Sequence, residues 1–286
     1  MNLFASLFLA AITVVTWNGD WFPSHEAKRR TSPEKNEANI ASAGRLLNAA
    51  IFHADPHGTN DLIICLNEMK NEEAVHQLLG AIGRKHLTVA AVSRYRLSDR
   101  FDLQQDAILT TLPIVQAGWK TFAKKKGRFF SPRGYVTADL LFSPSVTGRV
   151  FCTHLKANYG QKTEEEAKTN HEKRLHSVED LVRVANADGA RNSPKLICGD
   201  FNINILSNNS LDSEIYQYME SNGYKDAHKR LLASNRPSYV GRGKYKNTVL
   251  DYIFYQGLKD PEAAFVYPES AGSDHRPVVM SVKAPH

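Results

Sequence analysis

The run Leu62-Ile63-Ile64-Cys65-Leu66 leaves no polar side chain for solvent. A strand with that pattern is covered on both faces, so the chain must supply a packed layer on either side of it. The run ends at once in Asn67-Glu68. Leu196-Ile197-Cys198-Gly199 repeats the design and delivers Asp200-Phe201-Asn202. Side chains two apart in a strand share a face. If the extended backbone runs on past Gly199, Asp200 and Asn202 point together and Phe201 points away. Taken alone, the same residues also read as a strand closing in a turn.

The junction of apolar strand and polar group recurs along the chain. Ile12–Thr16 is a β-branched strand that reaches Asn18, and Gly19 and Pro23 mark a turn after it. Gly134–Phe142 and Thr147–Thr153 read as two strands joined at Ser143-Pro144-Ser145, the second delivering His154. Thr248–Tyr255 is a strand with Asp251 inside it, and Asp274-His275 stands just before the closing strand Val278–Val282. His86–Val92 and Ala107–Leu112 complete the strands; Pro113 ends the latter or makes it an edge. Helical spacing predicts Asn36–His53, Glu72–Ile82, Glu164–Ala187 and Asp212–Asn222, with Ser93–Gln105 a polar loop. His171 and His176 lie five apart on the third helix, which does not pair them on one face, and they are read as surface histidines. Packed sheets collect strand ends along a rim. Asn18, Glu68, His154, Asp200 with Asn202, and Asp274 with His275 are types that bind a hard cation and move protons, which makes that rim a site hypothesis.

With 286 residues, 42% of them hydrophobic, and no linker, repeat or low-complexity tract, residues 12–286 read as one domain. Residues 1–11 form an apolar segment, either the remainder of an export signal or the start of a long first strand; it is too short to span a bilayer. The compartment therefore stays open between export and cytoplasm, and no stable membrane anchor is evident. Cys65, Cys152 and Cys198 each sit in an apolar run, without metal-ligand spacing, and read as reduced core thiols. A net charge of +6 and an isoelectric point near 9.1 favour a polyanionic partner. Lys124-Lys125-Lys126-Gly127-Arg128 is a solvated hairpin tip or a phosphate-tracking loop.

Six segments together resemble a known family. Thr16-Trp17-Asn18, Leu66-Asn67-Glu68, Thr153-His154-Leu155, Gly199-Asp200-Phe201-Asn202, Leu250–Phe254 and Ser273–Val278 are similar, in order, to the signature segments of the endonuclease/exonuclease/phosphatase superfamily. That superfamily holds deoxyribonuclease I-like nucleases, neutral sphingomyelinases and inositol-polyphosphate 5-phosphatases. The resemblance implies an α+β fold, a four-layer α/β/β/α sandwich of two packed mixed β-sheets with outer helices. It implies hydrolysis of phosphate esters with a divalent metal, magnesium first, manganese or calcium as alternatives. It places Glu68, with Asn18 and Asp274, at the metal, and Asp200 and Asn202 around the attacking water and the phosphate. It pairs His275 with Asp251 and makes His154 the second histidine of the deoxyribonuclease and sphingomyelinase branches. Apurinic endonucleases generally lack that histidine, so His154 argues against a strict apurinic role. The family's usual Leu-Gln-Glu is Leu66-Asn67-Glu68 here.

Magnesium takes oxygen ligands, keeps several waters and needs only one or two carboxylates, which suits this donor set. A base within reach of the water can be Asp200 or the His275–Asp251 pair; residue types alone leave acid and base unassigned. Asp251, set among apolar and aromatic neighbours, is costly to bury without a partner such as His275. Lys156 and Arg133 are the preferred substrate-phosphate contacts, with Asn158, Arg100 and Arg242 as further candidates. The leading expectation is a monomeric, magnesium-dependent nuclease with nucleic acid as substrate. The alternatives are a phosphoesterase acting on a lipid or inositol phosphate, for which only Trp119 and Phe129-Phe130 resemble a membrane-docking hairpin, and an inactive binding domain.

Overall fold

The computed structural model describes residues 11–25, 31–97, 100–101, 104–124, 127, 131–158, 162–187, 193–207, 209–242 and 245–285. The apolar segment 1–10, most of the Lys124–Arg128 run and Phe129-Phe130 lie outside these residues.

Two mixed sheets of six strands pack face to face, with helices on their outer faces. In chain order the elements are β1 (Ala11–Phe22), α1 (Pro33–Ala54), β2 (Asp61–Met69), α2 (Glu72–Ile82), β3 (Thr88–Val92), β4 (Arg96–Leu97), β5 (Arg100–Phe101), β6 (Gln105–Thr110), β7 (Ile114–Thr121), β8 (Gly134–Ser143), β9 (Val146–His154), α3 (Glu164–Ala185), β10 (Lys195–Asp200), α4 (Ser210–Ser221), β11 (Lys225–Asp226), β12 (Asp251–Gln256), β13 (Ala263–Val266) and β14 (Val278–Lys283). The first sheet runs β13-β14-β1-β2-β6-β3 and the second β11-β12-β10-β9-β8-β7. Each has a single parallel pair at its centre, β1 with β2 and β9 with β10.

The continuous apolar runs behave as their pattern demands. Alternate residues of β1, β2 and β6 (Ile12, Val14, Ile63, Cys65, Ile108) meet those of β8, β9, β10 and β12 (Val136, Val150, Cys152, Cys198, Ile253) between the sheets. The other face of the first sheet packs on α1 and α2 through Ile64, Leu66, Leu47 and Leu78. That of the second packs on α3 and α4 through Phe151, Ile197, Leu181 and Ile215. All three cysteines are free thiols in the core. The helices begin where their caps place them: Ser32, Asn71, Thr163 and Asn209 each accept a main-chain N–H of the first turn.

Several elements depart from the sequence reading. β1 does not turn at Gly19 but runs to Phe22 through a bulge, with Asp20 and Trp21 at φ 49° and 58°. Strands β4, β5, β7, β11 and β13 are additional, and β4 and β5 form a short antiparallel pair inside the stretch Ser93–Gln105 read as a loop. β7 is an edge strand exposed along most of its length, so it lacks the alternation by which strands are recognised. β6 is interior, between β2 and β3, and Pro113 merely follows its end. His171 and His176 are buried, not on the surface, because α4 and the segment around Ala123 offer them polar partners. His171 pairs with Glu214 at 2.8 Å, and His176 donates to the Ala123 carbonyl at 2.7 Å. No helix among the described residues is long and apolar enough to cross a membrane.

A further buried histidine, His228, bonds the Val279 carbonyl at 2.9 Å and joins the loop after β11 to β14. Burial holds its pKa below the ordinary 6.5 despite the pull of Asp226. The unfolded chain therefore binds a proton more readily than the native state. The contribution is complete above pH 6.5 and is lost as pH falls below it, with a limiting slope of about 1.4 kcal/mol per pH unit. Urea melts from pH 7.5 to 5 should show this slope in the wild type and a flatter one in His228→Gln, whose amide can still donate to Val279.

Candidate active site

The register of three neighbouring strands builds half of the site. Asp200, the last residue of β10, stands opposite His154 at the end of β9 and opposite Asp251 at the start of β12. The first sheet supplies the other half, where Asn18 of β1 pairs with Asn67 of β2 and Glu68 follows at φ 57°. Asn18 Nδ2 bridges the sheets, donating to Asp200 Oδ2 at 3.0 Å and to Glu68 Oε1 at 3.2 Å, while its Oδ1 accepts the Asp20 N–H at 2.9 Å.

His275 completes the rim. Its Nδ1 lies 2.7 Å from Asp251 Oδ2, and its Nε2 lies 3.9 Å from Asp200 Oδ2 and 3.8 Å from Asp274 Oδ1. The motif residues around it hold it there. Ser273 Oγ accepts the His275 N–H and donates to the Asn18 carbonyl; Trp17 Nε1 donates to the His275 carbonyl; Tyr239 packs edge-on at 5.4 Å. Burial opposes charge on His275, but Asp251, Asp200 and Asp274 overcome it and raise its pKa, so it holds its proton at neutral pH. His154 goes the other way. Burial and the charges of Arg133, His275 and Lys156 keep it neutral, with Nε2 3.5 Å from Asp200 and 3.7 Å from Glu68. Burial and the charge of Asp251 raise the pKa of Asp200.

Asn202 does not continue the strand. It sits at φ 51°, where asparagine is tolerated. Its N–H closes onto Asp200 Oδ1 at 2.9 Å, and its Nδ2 donates to the Leu155 carbonyl at 3.2 Å. The two side chains therefore do not project in parallel, although both remain at the rim. Phe201 is wholly buried, as expected.

Sequence reasoning missed Asp20 and Arg174. Asp20 stands two residues beyond Asn18, a spacing that was available as a signal, but the bulge hides its direction. Burial, with Asp274 and Glu68, raises its pKa to about 7. Its Oδ2 accepts no hydrogen bond and faces Arg242 at 3.6 Å. Glu68 is likewise raised by burial against the pull of Arg133. Asp20, Glu68 and Asp274 thus form an acidic mouth with more acceptor oxygens than donors, a set that fits a hard divalent cation. Among the described residues, Asp200, Asp251 and His275 are the group whose ligand atoms all lie within 4.8 Å of one another, but His275 Nδ1 is engaged by Asp251, so that trio suits proton handling. Arg174, from α3, is buried and donates to the Lys156 carbonyl at 3.0 Å and to Asn158 Oδ1, with Asp212 at 3.6 Å. Asn158 in turn donates to the Asn202 carbonyl at 3.4 Å. Lys156 is half-buried beside the site and its pKa is lowered by burial and by Arg133, Lys173 and Arg174. Arg133 donates to Gln104. The Arg100 side chain lies outside the described residues.

The model of the Endonuclease/Exonuclease/phosphatase family matches residues 15–275. The chain belongs to this family. Members of the endonuclease/exonuclease/phosphatase family are metal-dependent phosphoric ester hydrolases, and the present chain is a phosphoesterase of that kind. Among solved structures, a family protein from Leptotrichia buccalis is 15% identical, with a TM-score of 0.64 over 95% of this chain and 99% of the other. The human Nocturnin catalytic domain, solved with bound sulfate anion, is 18% identical with a TM-score of 0.64 over 95% and 93%. A family protein from Bacteroides thetaiotaomicron is 14% identical with a TM-score of 0.61 over 96% and 97%. At these identities the likeness shows the shared fold. A search of curated proteins returns no significant match.

Breaking the buried Arg174–Asp212 pair leaves a carboxylate in the interior without its cation. Arg174→Met should cost about 3–5 kcal/mol in urea denaturation, and adding Asp212→Leu should recover much of the loss.

Proposed function

We propose that the protein is a magnesium-dependent nuclease that hydrolyses phosphodiester bonds by in-line attack of water. The observation that carries this reading is the position of Asp200. It is within 4 Å of both histidines, bridged by Asn18 to Glu68, and backed by a His275–Asp251 pair that retains a proton.

Asp20, Glu68 and Asp274 would hold the divalent cation, with Asn18 keeping Glu68 and Asp200 in place through its amide nitrogen. The cation supplies charge neutralisation at the phosphoryl oxygen and at the leaving alkoxide. Asp200 then orients the water and accepts its proton as the new P–O bond forms and the ester P–O bond breaks. The protonated His275 donates to a phosphoryl oxygen, where negative charge develops. Neutral His154 provides a second hydrogen bond to the phosphate, and the turned-in Asn202 holds the loop that carries it. Lys156 and Arg133 flank this centre as contacts for neighbouring phosphates. The excess of six positive charges and the isoelectric point near 9.1 support a polynucleotide substrate over a small ester.

Supercoiled plasmid, single-stranded RNA and bis(p-nitrophenyl) phosphate, each with magnesium and again with EDTA, provide the test. Nicking or chain cleavage that EDTA abolishes is expected. Asp200→Ala should lower kcat by about 10³-fold with an unchanged melting temperature. Glu68→Gln should raise the magnesium concentration needed for half-maximal rate. Cleavage of none of these substrates under magnesium, manganese or calcium would sink the nuclease reading; turnover confined to lipid or inositol phosphates would move the substrate elsewhere in the family.

A further inference from the structure

One buried polar side chain reaches both halves of the rim without facing the reacting centre. Asn67 has no exposed surface and precedes Glu68 on β2. Its Oδ1 accepts the Asp200 N–H at 3.1 Å. Its Nδ2 donates to the Thr153 carbonyl at 3.2 Å, to Asp106 Oδ1 at 2.7 Å, and lies 3.5 Å from Cys152 Sγ. One amide therefore touches the main chain of Asp200 and the main chain one residue before His154, and its own backbone continues directly into Glu68.

The orientation of that amide is determined by its surroundings. Thr153 O accepts only and the Asp200 main-chain N–H donates only. Turned over, the amide would set its oxygen against an acceptor and its NH₂ against a donor, and it would lose its bond to Asp106 Oδ1. Asp106, itself without exposed surface, is held by the Tyr95 hydroxyl at 3.3 Å, and its own N–H donates to Ser93 Oγ at 2.9 Å. Gly199 leaves the room that Asn67 uses. A Cβ at that glycine would lie 1.9 Å from Thr153 O and 3.1 Å from Asn67 Oδ1.

We propose that Asn67 is the positioning residue that sets the spacing between Glu68 on the first sheet and the His154–Asp200 pair on the second, with Asp106 fixing the direction of its amide. The inference rests on the hydrolytic reading of the rim for its kinetic part only. Displacement of aligned groups by a fraction of an ångström to an ångström lowers turnover without removing any group that touches substrate.

The experiment compares Asn67→Ala, Asp106→Ala, the double variant and Asp106→Asn on plasmid and on bis(p-nitrophenyl) phosphate, alongside hydrogen exchange of the Asp200 amide by NMR. Asn67→Ala and Asp106→Ala should each lower kcat by up to about 100-fold, with KM within about threefold of the wild type. The double variant should be no worse than the poorer single, because both remove one linkage. Asp106→Asn, whose amide oxygen still accepts from Asn67, should retain most of the activity. The Asp200 amide in Asn67→Ala should exchange at least about tenfold faster, while the Val15 amide in the core is unchanged. Asn67→Ser serves the same comparison if the alanine variant does not fold. Wild-type kcat in the Asn67 variant, losses that multiply in the double, or an unaltered Asp200 exchange rate would overturn the assignment. If the wild type itself cleaves no phosphodiester, the proposed reaction fails, and the exchange measurement still decides the role of Asn67.

Discussion

The parallel pairing of β9 with β10 is the constraint on which the rest depends. It brings the ends of two strands to the same rim, since parallel neighbours finish on the same side, and so sets His154 beside Asp200. The pairing requires glycine at position 199, whose φ of 135° no ordinary side chain adopts and whose missing Cβ makes room for the Thr153 carbonyl. β1 and β2 do the same in the other sheet with Asn18 and Glu68. Stacking the two sheets then turns two rims into one site.

The site so formed is electrostatically unbalanced. Asp20, Glu68, Asp200, Asp251 and Asp274 converge on one protonated histidine, with a neutral one beside it. Burial makes Asp20, Glu68 and Asp200 reluctant to ionise, and the charges of neighbouring carboxylates add to this at Asp20 and Asp200. Asn18 lowers the strain by donating to two of them without adding charge of its own. What remains is a demand for positive charge at the mouth, consistent with a metal-dependent family. Rigidity comes from behind, through Trp17 on the first sheet, Ser273 in the turn before β14, and Arg174 on α3, which ties the His154 loop to α4.

Much of this was legible in the residues. Apolar runs ending in Asn18, Glu68, His154, Asp200 and His275 named the rim, because strands buried on both faces admit polar groups only at their ends. Asp251 was legible as a buried acid in need of a partner, and it has one in His275. Other residues were not legible, each for a local reason. β7 is nearly all exposed, so its pattern carries no period, and its order comes from pairing with β8. His171, His176 and Arg174 look like the polar face of a surface helix until α4 and the segment around Ala123 are packed over them. Asp20 was obscured by the bulge in β1, and Asn202 by its left-handed turn.

By itself, then, the sequence determined the buried strands, the helices and the set of groups gathered at one rim, because local pattern marks strands covered on both faces, while the layered sandwich followed from the resemblance of its six segments. Only the tertiary structure decided which groups touch, since contact depends on register and on sheet-to-sheet spacing. It made Asn18 a bridge between carboxylates and turned Asn202 inward. It gave Asn67, one residue from a predicted ligand, hydrogen bonds to three other strands: β6 at Asp106, β9 at Thr153 and β10 at Asp200. The physical reason is that a buried amide must satisfy every donor and acceptor it carries, and its partners come from strands far apart in the chain.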